Sequence, residues 1–434
     1  SMPTLAEELI GLKQRHMVPC LYHFYRQPPV IVRGEMQYLF DAEGRRYLDA
    51  YAGVTVMNAG HCNPAIIEPA IAQIRRLQHT TTIYLAEPIY RLAERLTALI
   101  GGGIDRVFFV NSGTEANEGA LLLSRLFTGR TGFIHLNGAL HGRTALTMGL
   151  TGLAMWRTDP APPPRLFQAP CPHCAHCELG LRFGSCGYAC VEAVRDILRE
   201  QGDIAALIAE PIQGNGGIVV PPEGYFERLQ AVLHEAGALL IADEVQCGFG
   251  RTGRRFAFQH SAIEPDILTL AKALGNGFPI GAFCTSARIA ACYTRPGAST
   301  TGGNPVSAAA ALAVLDYHDE HRLAERAADL GAWLRERLEA LTAGRPFVAE
   351  VRGRGLMIGL ELALDGRPLP ALADWLLEEM KNRGFLIGKT GRGREVLAFM
   401  PPLVVERADL EGLCAALGEL LDRVPPDGAV PGEP

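Results

Sequence analysis

Short runs of unbroken apolar residues alternate with longer helical stretches between about residues 56 and 310 of this 434-residue chain. Examples are Arg106-Val107-Phe108-Phe109-Val110, Gly132-Phe133-Ile134-His135, Ala205-Ala206-Leu207-Ile208-Ala209 and Ala238-Leu239-Leu240-Ile241-Ala242. Strands that are apolar at every position are buried on both faces. The pattern therefore predicts an α/β fold with a mainly parallel sheet covered by helices. Ligands bind such sheets outside the C-terminal ends of the strands. Asn111, Glu210, Asp243 and Lys272 all follow apolar runs, so the pattern itself outlines a site. Residues 1–55 read as an entry segment with strand-like pieces and residues 56–310 as the large domain. An Ala- and Leu-rich helix from Pro305 to Tyr317 leads into residues 311–434, a smaller α+β domain. The tail from Val424 to Pro434 is expected to be disordered. No internal repeat is evident.

Composition narrows the function class. A net charge of −6 and a pI near 6.1 argue against nucleic-acid binding, which favours a basic excess. No apolar run reaches the roughly 18 residues that cross a bilayer, so no membrane association is expected. The start of the chain lacks a signal peptide's apolar stretch, which makes the cytoplasm the expected location. Of the eleven cysteines, five fall in one short segment and six are scattered in apolar surroundings. That distribution is unlike a secreted disulfide framework.

Two segments carry the chemistry. Ile241-Ala242-Asp243-Glu244-Val245-Gln246 ends a buried strand in a carboxylate. Ala271-Lys272-Ala273-Leu274-Gly275 sets a lysine in apolar surroundings after the next strand. Such a pair suits pyridoxal phosphate: the lysine forms a Schiff base and the acid keeps the pyridine nitrogen protonated. Burial would lower the lysine pKa and make the amine nucleophilic near neutral pH. A surface lysine and a helix-capping or ion-paired aspartate are the plainer alternatives. Asn111-Ser112-Gly113-Thr114-Glu115 follows a strand and opens a helix. Its small residues allow backbone N–H groups to approach a phosphate, though a capped helix start explains the same residues.

These segments resemble the class III pyridoxal-phosphate aminotransferases, a branch of fold type I, from about Val30 to Leu403. Ile31 to Asp41 and Arg46 to Ala50 look closest to the alanine–glyoxylate type. The 4-aminobutyrate and ornithine enzymes are similar more loosely. The resemblance implies a seven-stranded, mainly parallel sheet and a homodimer with shared active sites. It implies catalytic roles for Lys272, Asp243 and Glu210. Ser112, Gly113 and Thr114 would form the phosphate cup, and Gln246 would contact the ring hydroxyl. Leu140-His141-Gly142-Arg143 matches a family motif except that Leu140 replaces an aromatic residue stacked on the ring. Thr300 would reach the neighbouring subunit's phosphate. Tyr84, Tyr51 and Val54 to Asn58 would wall the pocket. The implied reaction moves an amino group from an amine or amino acid donor to a 2-oxo acid acceptor. A racemase, lyase or decarboxylase on the same fold is the alternative.

One departure bears on the substrate. Relatives that bind an α-carboxylate carry an arginine shortly before the Pro401-Pro402-Leu403 motif, where this chain has Ala398. Alanine cannot make the bidentate contact with a carboxylate. Either another arginine takes the role (Arg392, Arg394, Arg143 or Arg254) or the amino donor is unusual. Separately, Cys171-Pro172-His173-Cys174-Ala175-His176-Cys177 and Cys186-Gly187-Tyr188-Ala189-Cys190 form a zinc-like pattern. A structural zinc on Cys171, Cys174, Cys186 and Cys190 would brace the loop before Glu210. Two disulfides or free thiols are the alternative.

Overall fold

Each of the apolar runs becomes a strand of one sheet. The computed structural model describes residues 2–432. Three short N-terminal strands come first: β1 (Ile31–Glu35), β2 (Tyr38–Asp41) and β3 (Arg46–Asp49). The central strands are β4 (Arg106–Val110), β5 (Gly132–Leu136), β6 (Leu166–Ala169), β7 (Ile204–Ala209), β8 (Leu239–Asp243), β9 (Ile267–Leu270) and β10 (Gly281–Thr285). Their order is β4-β10-β9-β8-β7-β5-β6. Only β10 runs antiparallel to its neighbours. The five strands from β9 to β6 pair in parallel. Strands β5, β7, β8, β9 and β10 are buried at every residue, as unbroken apolar composition requires when helices cover both faces.

The C-terminal part is a separate layer. Strands β11 (Val348–Arg354), β12 (Met357–Leu364), β13 (Arg367–Pro368), β14 (Phe385–Leu386), β15 (Gly388–Thr390) and β16 (Val396–Phe399) follow the sheet. Of these, β11-β12-β16-β15 form one sheet, backed by helices Leu323–Thr342, Pro370–Asn382 and Arg407–Leu421. Strand β14 pairs in parallel with β3, so the N-terminal segment joins the small domain's core. The boundary expected at 310/311 falls inside the single helix Pro305–Glu320.

The C-terminal tail departs from expectation. Val424 is buried in the small domain's core. Gly428 N–H donates to Pro425 O at 2.9 Å, closing a turn. Apolar contact thus orders this stretch despite its Pro- and Gly-rich composition; the last two residues of the expected tail lie outside the described residues.

Candidate active site

Strands β8 and β9 end side by side, and their C-terminal ends place an acid and an amine together. Asp243 closes β8 and is 3% exposed. Its Oδ2 accepts from His141 Nδ1 (2.7 Å) and Asn117 Nδ2 (2.9 Å), and its Oδ1 accepts from Val245 N–H (3.0 Å). Three donors fix this carboxylate in direction. Lys272 follows β9 in a single tight turn at φ +45°, an uncommon conformation for a residue with a Cβ. The chain has four lysines. Lys13 meets His23, Lys381 meets Gln27 and Glu378, and Lys389 meets Asp374. Lys272 has no hydrogen-bond or ion-pair partner among the described residues. Burial lowers its pKa, while Asp243 and Glu210 raise it in opposition. An unpaired amine with a depressed pKa is the form needed to attack an aldehyde.

The neighbouring segments complete a cradle. Ser112 caps helix Gly113–Thr128: its Oγ accepts from Glu115 N–H (3.2 Å) and donates to Glu115 Oε2 (3.0 Å). The hydroxyl of Ser112 is therefore engaged in the cap. The backbone N–H groups of Gly113 and Thr114 have no acceptor among the described residues and lie at the positive end of the helix. A Cβ on Gly113 would lie 2.8 Å from Val245, so only glycine allows this close packing. Gln246 Oε1, His141 Nε2 and Asn117 Oδ1 are buried without partners. A bare amine, a fixed carboxylate, free helix N–H groups and unpaired polar atoms fit pyridoxal phosphate. Lys272 would bond its aldehyde, Asp243 would pair with its ring nitrogen, and Gly113 and Thr114 would hold its phosphate.

Glu210 follows β7 and is buried. Its Oε1 accepts from Leu140 N–H (3.0 Å) and its Oε2 from Gly214 N–H (2.9 Å). No arginine pairs with it among the described residues. Burial pushes its pKa up, His141 opposes the shift and Asp243 adds to it. Sequence reasoning gave no role to Glu244, yet it is fully buried. It accepts from the N–H groups of Ala257 and Phe258, both at 2.7 Å. Burial pushes its pKa up to about 7. Adjacent acids thus face opposite ways, Asp243 toward Lys272 and Glu244 toward the turn at residues 257–260. The alternation of the strand end was the available signal.

Other predicted residues are distributed unevenly. Leu140 N–H stands against Glu210 and His141 Nδ1 against Asp243. Tyr84 is 66% exposed in an apolar segment with Ile83 and Leu85. Thr300 is exposed next to Thr301, whose hydroxyl donates to Asn111 Oδ1 at 2.9 Å. Arg143 is exposed, and Arg254 lines a separate surface cavity of about 480 Å³ with Arg255 and Arg322. Ala398 was expected at a substrate position. It is instead fully buried in an apolar cluster with Ile212, Ile218, Cys247, Met357 and Met400, and offers no surface to a ligand.

Of the two nearby arginines, Arg392 is committed to Glu178 at 2.9 Å. Arg394 Nη2 donates to Tyr22 OH and Lys389 O, both at 3.3 Å, and its Nη1 is buried without a partner. Its loop crosses the Glu210 segment: Thr390 Oγ1 donates to Gly214 O (2.8 Å) and Gly391 N–H to Asn215 O (3.1 Å). An aromatic chain runs alongside. Tyr22 stands 6.3 Å from Trp156 and 5.9 Å from Phe24, which stacks on Tyr51 at 6.0 Å. Burial raises the Tyr51 pKa to about 12, and the Arg394 charge opposes that rise.

The cysteine segment does not group as expected. Cys171 lies two residues beyond β6 with its thiol turned to Gln213 Oε1 at 3.5 Å. Burial raises that thiol to about 12, with Arg392, Glu178 and Glu210 as its charged neighbours. Cys174, by contrast, stands near Cys186 and Cys177, and burial is the main cause of its raised pKa. The remaining thiol, Cys190, likewise has Cys174 and Cys186 as its neighbours, again with burial foremost. All five thiols line one cavity, and Cys171 differs from the other four in that Gln213 engages its thiol. Local spacing could not single out Cys171, because Cys171-x₂-Cys174 and Cys174-x₂-Cys177 are the same pattern.

Comparison with known proteins agrees with this geometry. The aminotransferase class-III family profile matches residues 24–421. The chain is 42% identical to alanine–glyoxylate aminotransferase 2 homolog 2 of Arabidopsis thaliana, covering 95% of this chain and 87% of that protein. Its structure resembles an (S)-enantioselective omega-transaminase of Thermomicrobium roseum, with TM-score 0.90 and 33% identity over 97% of this chain and 99% of that one. It also resembles an Arthrobacter phospholyase in complex with phosphoethanolamine, with TM-score 0.88 and 35% identity over 96% and 100% of the two chains.

Proposed function

Because the chain belongs to the class-III aminotransferases and is a pyridoxal-phosphate-dependent transaminase of fold type I, we propose that Arg394 holds the carboxylate of its 2-oxo acid. The donor is a primary amine. The observation that carries this reading is the half-free guanidinium of Arg394, on the loop that crosses the Glu210 segment, while Ala398 is sealed in the core.

Pyridoxal phosphate, when bound, supplies an electron sink that stabilises negative charge on the substrate carbon bearing the amine. Lys272 Nζ is the base that takes the proton from that carbon and returns it. Asp243 would face the ring nitrogen, because His141 and Asn117 fix its orientation. Glu210 keeps the Leu140 and Gly214 backbones in place and shapes the substrate side. Leu140 covers one face by dispersion alone, having no aromatic ring. Tyr22, Trp156 and Tyr51 form an apolar wall beside Arg394 suited to a larger donor.

A second copy of the chain is part of this reading. Ile83, Tyr84 and Leu85 are 84%, 66% and 87% exposed in sequence, and such apolar exposure favours cover by a partner. Thr300, exposed at the sheet's edge, is free to reach that partner's phosphate site. The eleven cysteines are all free thiols, which suits the reducing cytoplasm.

The test is a half-reaction. Donor amines without acceptor should bleach the bound cofactor's visible absorbance, and a 2-oxo acid should restore it. Borohydride should trap the cofactor on the Lys272 peptide. Product formed while the absorbance persists would point to lyase or racemase chemistry and overturn transamination.

A further inference from the structure

The loop between β6 and helix Ala189–Gln201 takes no part in the reaction above, yet it gathers five thiols around one void, of which Cys171 alone is turned to Gln213 Oε1. We propose that Cys174, Cys177, Cys186 and Cys190 bind one zinc ion as a tetrathiolate that locks this loop.

The spacing is Cys-x₂-Cys, eight intervening residues, then Cys-x₃-Cys, the arrangement of two zinc-binding turns facing each other. The four side chains line one cavity of about 30 Å³ with Leu181 and Phe183; Cys171 lines it too, but its thiol is engaged with Gln213 Oε1 at 3.5 Å. A space that size holds a single ion or water. The thiols line the void rather than meeting in it. Binding would draw each sulfur to about 2.3 Å from the metal. None of the four is in a disulfide.

The loop needs such a brace. Apart from one turn at Cys174–His176 it has no regular secondary structure before Ala189. Leu179, Leu181 and Phe183 are between 42% and 46% exposed, so apolar burial contributes little to holding it. A tetrathiolate supplies a crosslink where the core does not. Soft sulfur ligands select zinc over magnesium or calcium. Binding Zn²⁺ releases four protons, one from each thiol, and leaves the site with a net charge of −2.

The other ligand set on this loop is already neutralised. His173, His176 and Glu350 have donor atoms within 4.8 Å of one another. Arg352, however, stands 3.1 Å from Glu350 and 3.7 Å from Glu361, the acid that pairs with His176. The guanidinium already balances the charge of both acids.

The experiment uses the cofactor-loaded full chain, purified without chelator. Metal is measured by mass spectrometry, and thiols are counted before and after an organomercurial displaces bound metal. About one zinc per chain is expected, with four thiols shielded until displacement. The double variant Cys174→Ser/Cys186→Ser should fall below about a tenth of a zinc per chain, unfold at lower temperature and keep the cofactor's visible absorbance. Three results would each overturn the proposal. These are wild-type protein with accessible thiols and no metal, an intact mass short by four hydrogens (two disulfides), or zinc retained by the double variant. The wild-type stoichiometry decides the question even if the variant does not fold.

Discussion

Replacing Arg394 with alanine tests how the substrate is gripped. The guanidinium is half-buried and has one buried nitrogen without a partner, so it offers a two-point contact to a carboxylate. Two charge-assisted hydrogen bonds in a dry site would contribute about 1.5–3 kcal/mol each. Partial exposure screens them, leaving about 2–3 kcal/mol in total. At about 1.4 kcal/mol per decade, that predicts a loss of roughly 30- to 150-fold in kcat/KM for a 2-oxo acid acceptor. The half-reaction of an amine donor lacking a carboxylate should change by less than about threefold. Arg394→Lys should recover only part of the loss, because an ammonium cannot make the planar two-point contact. The assay is stopped-flow absorbance of each half-reaction, with thermal unfolding as a check on folding, since Arg394 also bonds Lys389 O and Tyr22. Equal losses in both halves, or no loss with the acceptor, would refute the assignment.

Three further outcomes follow from buried groups. Glu244 has a folded pKa near 7, above the ordinary carboxylate range, so the folded protein holds a proton that the unfolded chain releases. Its contribution therefore falls as pH rises from about 4.5 to 7, and the destabilisation caused by Glu244→Gln should shrink over that window in denaturant titrations. Arg251 is fully buried. It donates to Asn58 Oδ1 (2.7 Å), Leu356 O (2.9 Å) and Pro401 O (2.5 Å), linking the large and small domains. Arg251→Ala should cost about 3–5 kcal/mol of stability, measured by urea unfolding, because three buried acceptors lose their donor. Leu140→Phe should slow cofactor loss on dilution, with a gain of about 0.5–1.5 kcal/mol from ring stacking; unchanged retention would show that the ring face lies elsewhere.

Much of the site was legible because it depends on local pattern. Apolar runs predicted the strands, and an acid and an amine at adjacent strand ends predicted Asp243 and Lys272. Both are consequences of short-range periodicity, which a sequence displays directly. The turn before helix Gly113–Thr128, which we propose binds phosphate, was legible as a helix start for the same reason, and Ser112 spends its hydroxyl on the helix cap.

Contacts across long stretches of chain decided the rest. Whether Ala398 meets substrate or core depends on Ile212 and Met357 packing against it from distant elements. The choice between Arg392 and Arg394 depends on Glu178, which claims the first and leaves the second half-free. Identical Cys-x₂-Cys spacings could not show that, of the thiols lining one cavity, Cys171 is the one engaged by Gln213. A chain's periodicity determines which residues share a face. Which of those faces meet, and which polar atoms are left without a partner, is settled only when the elements pack.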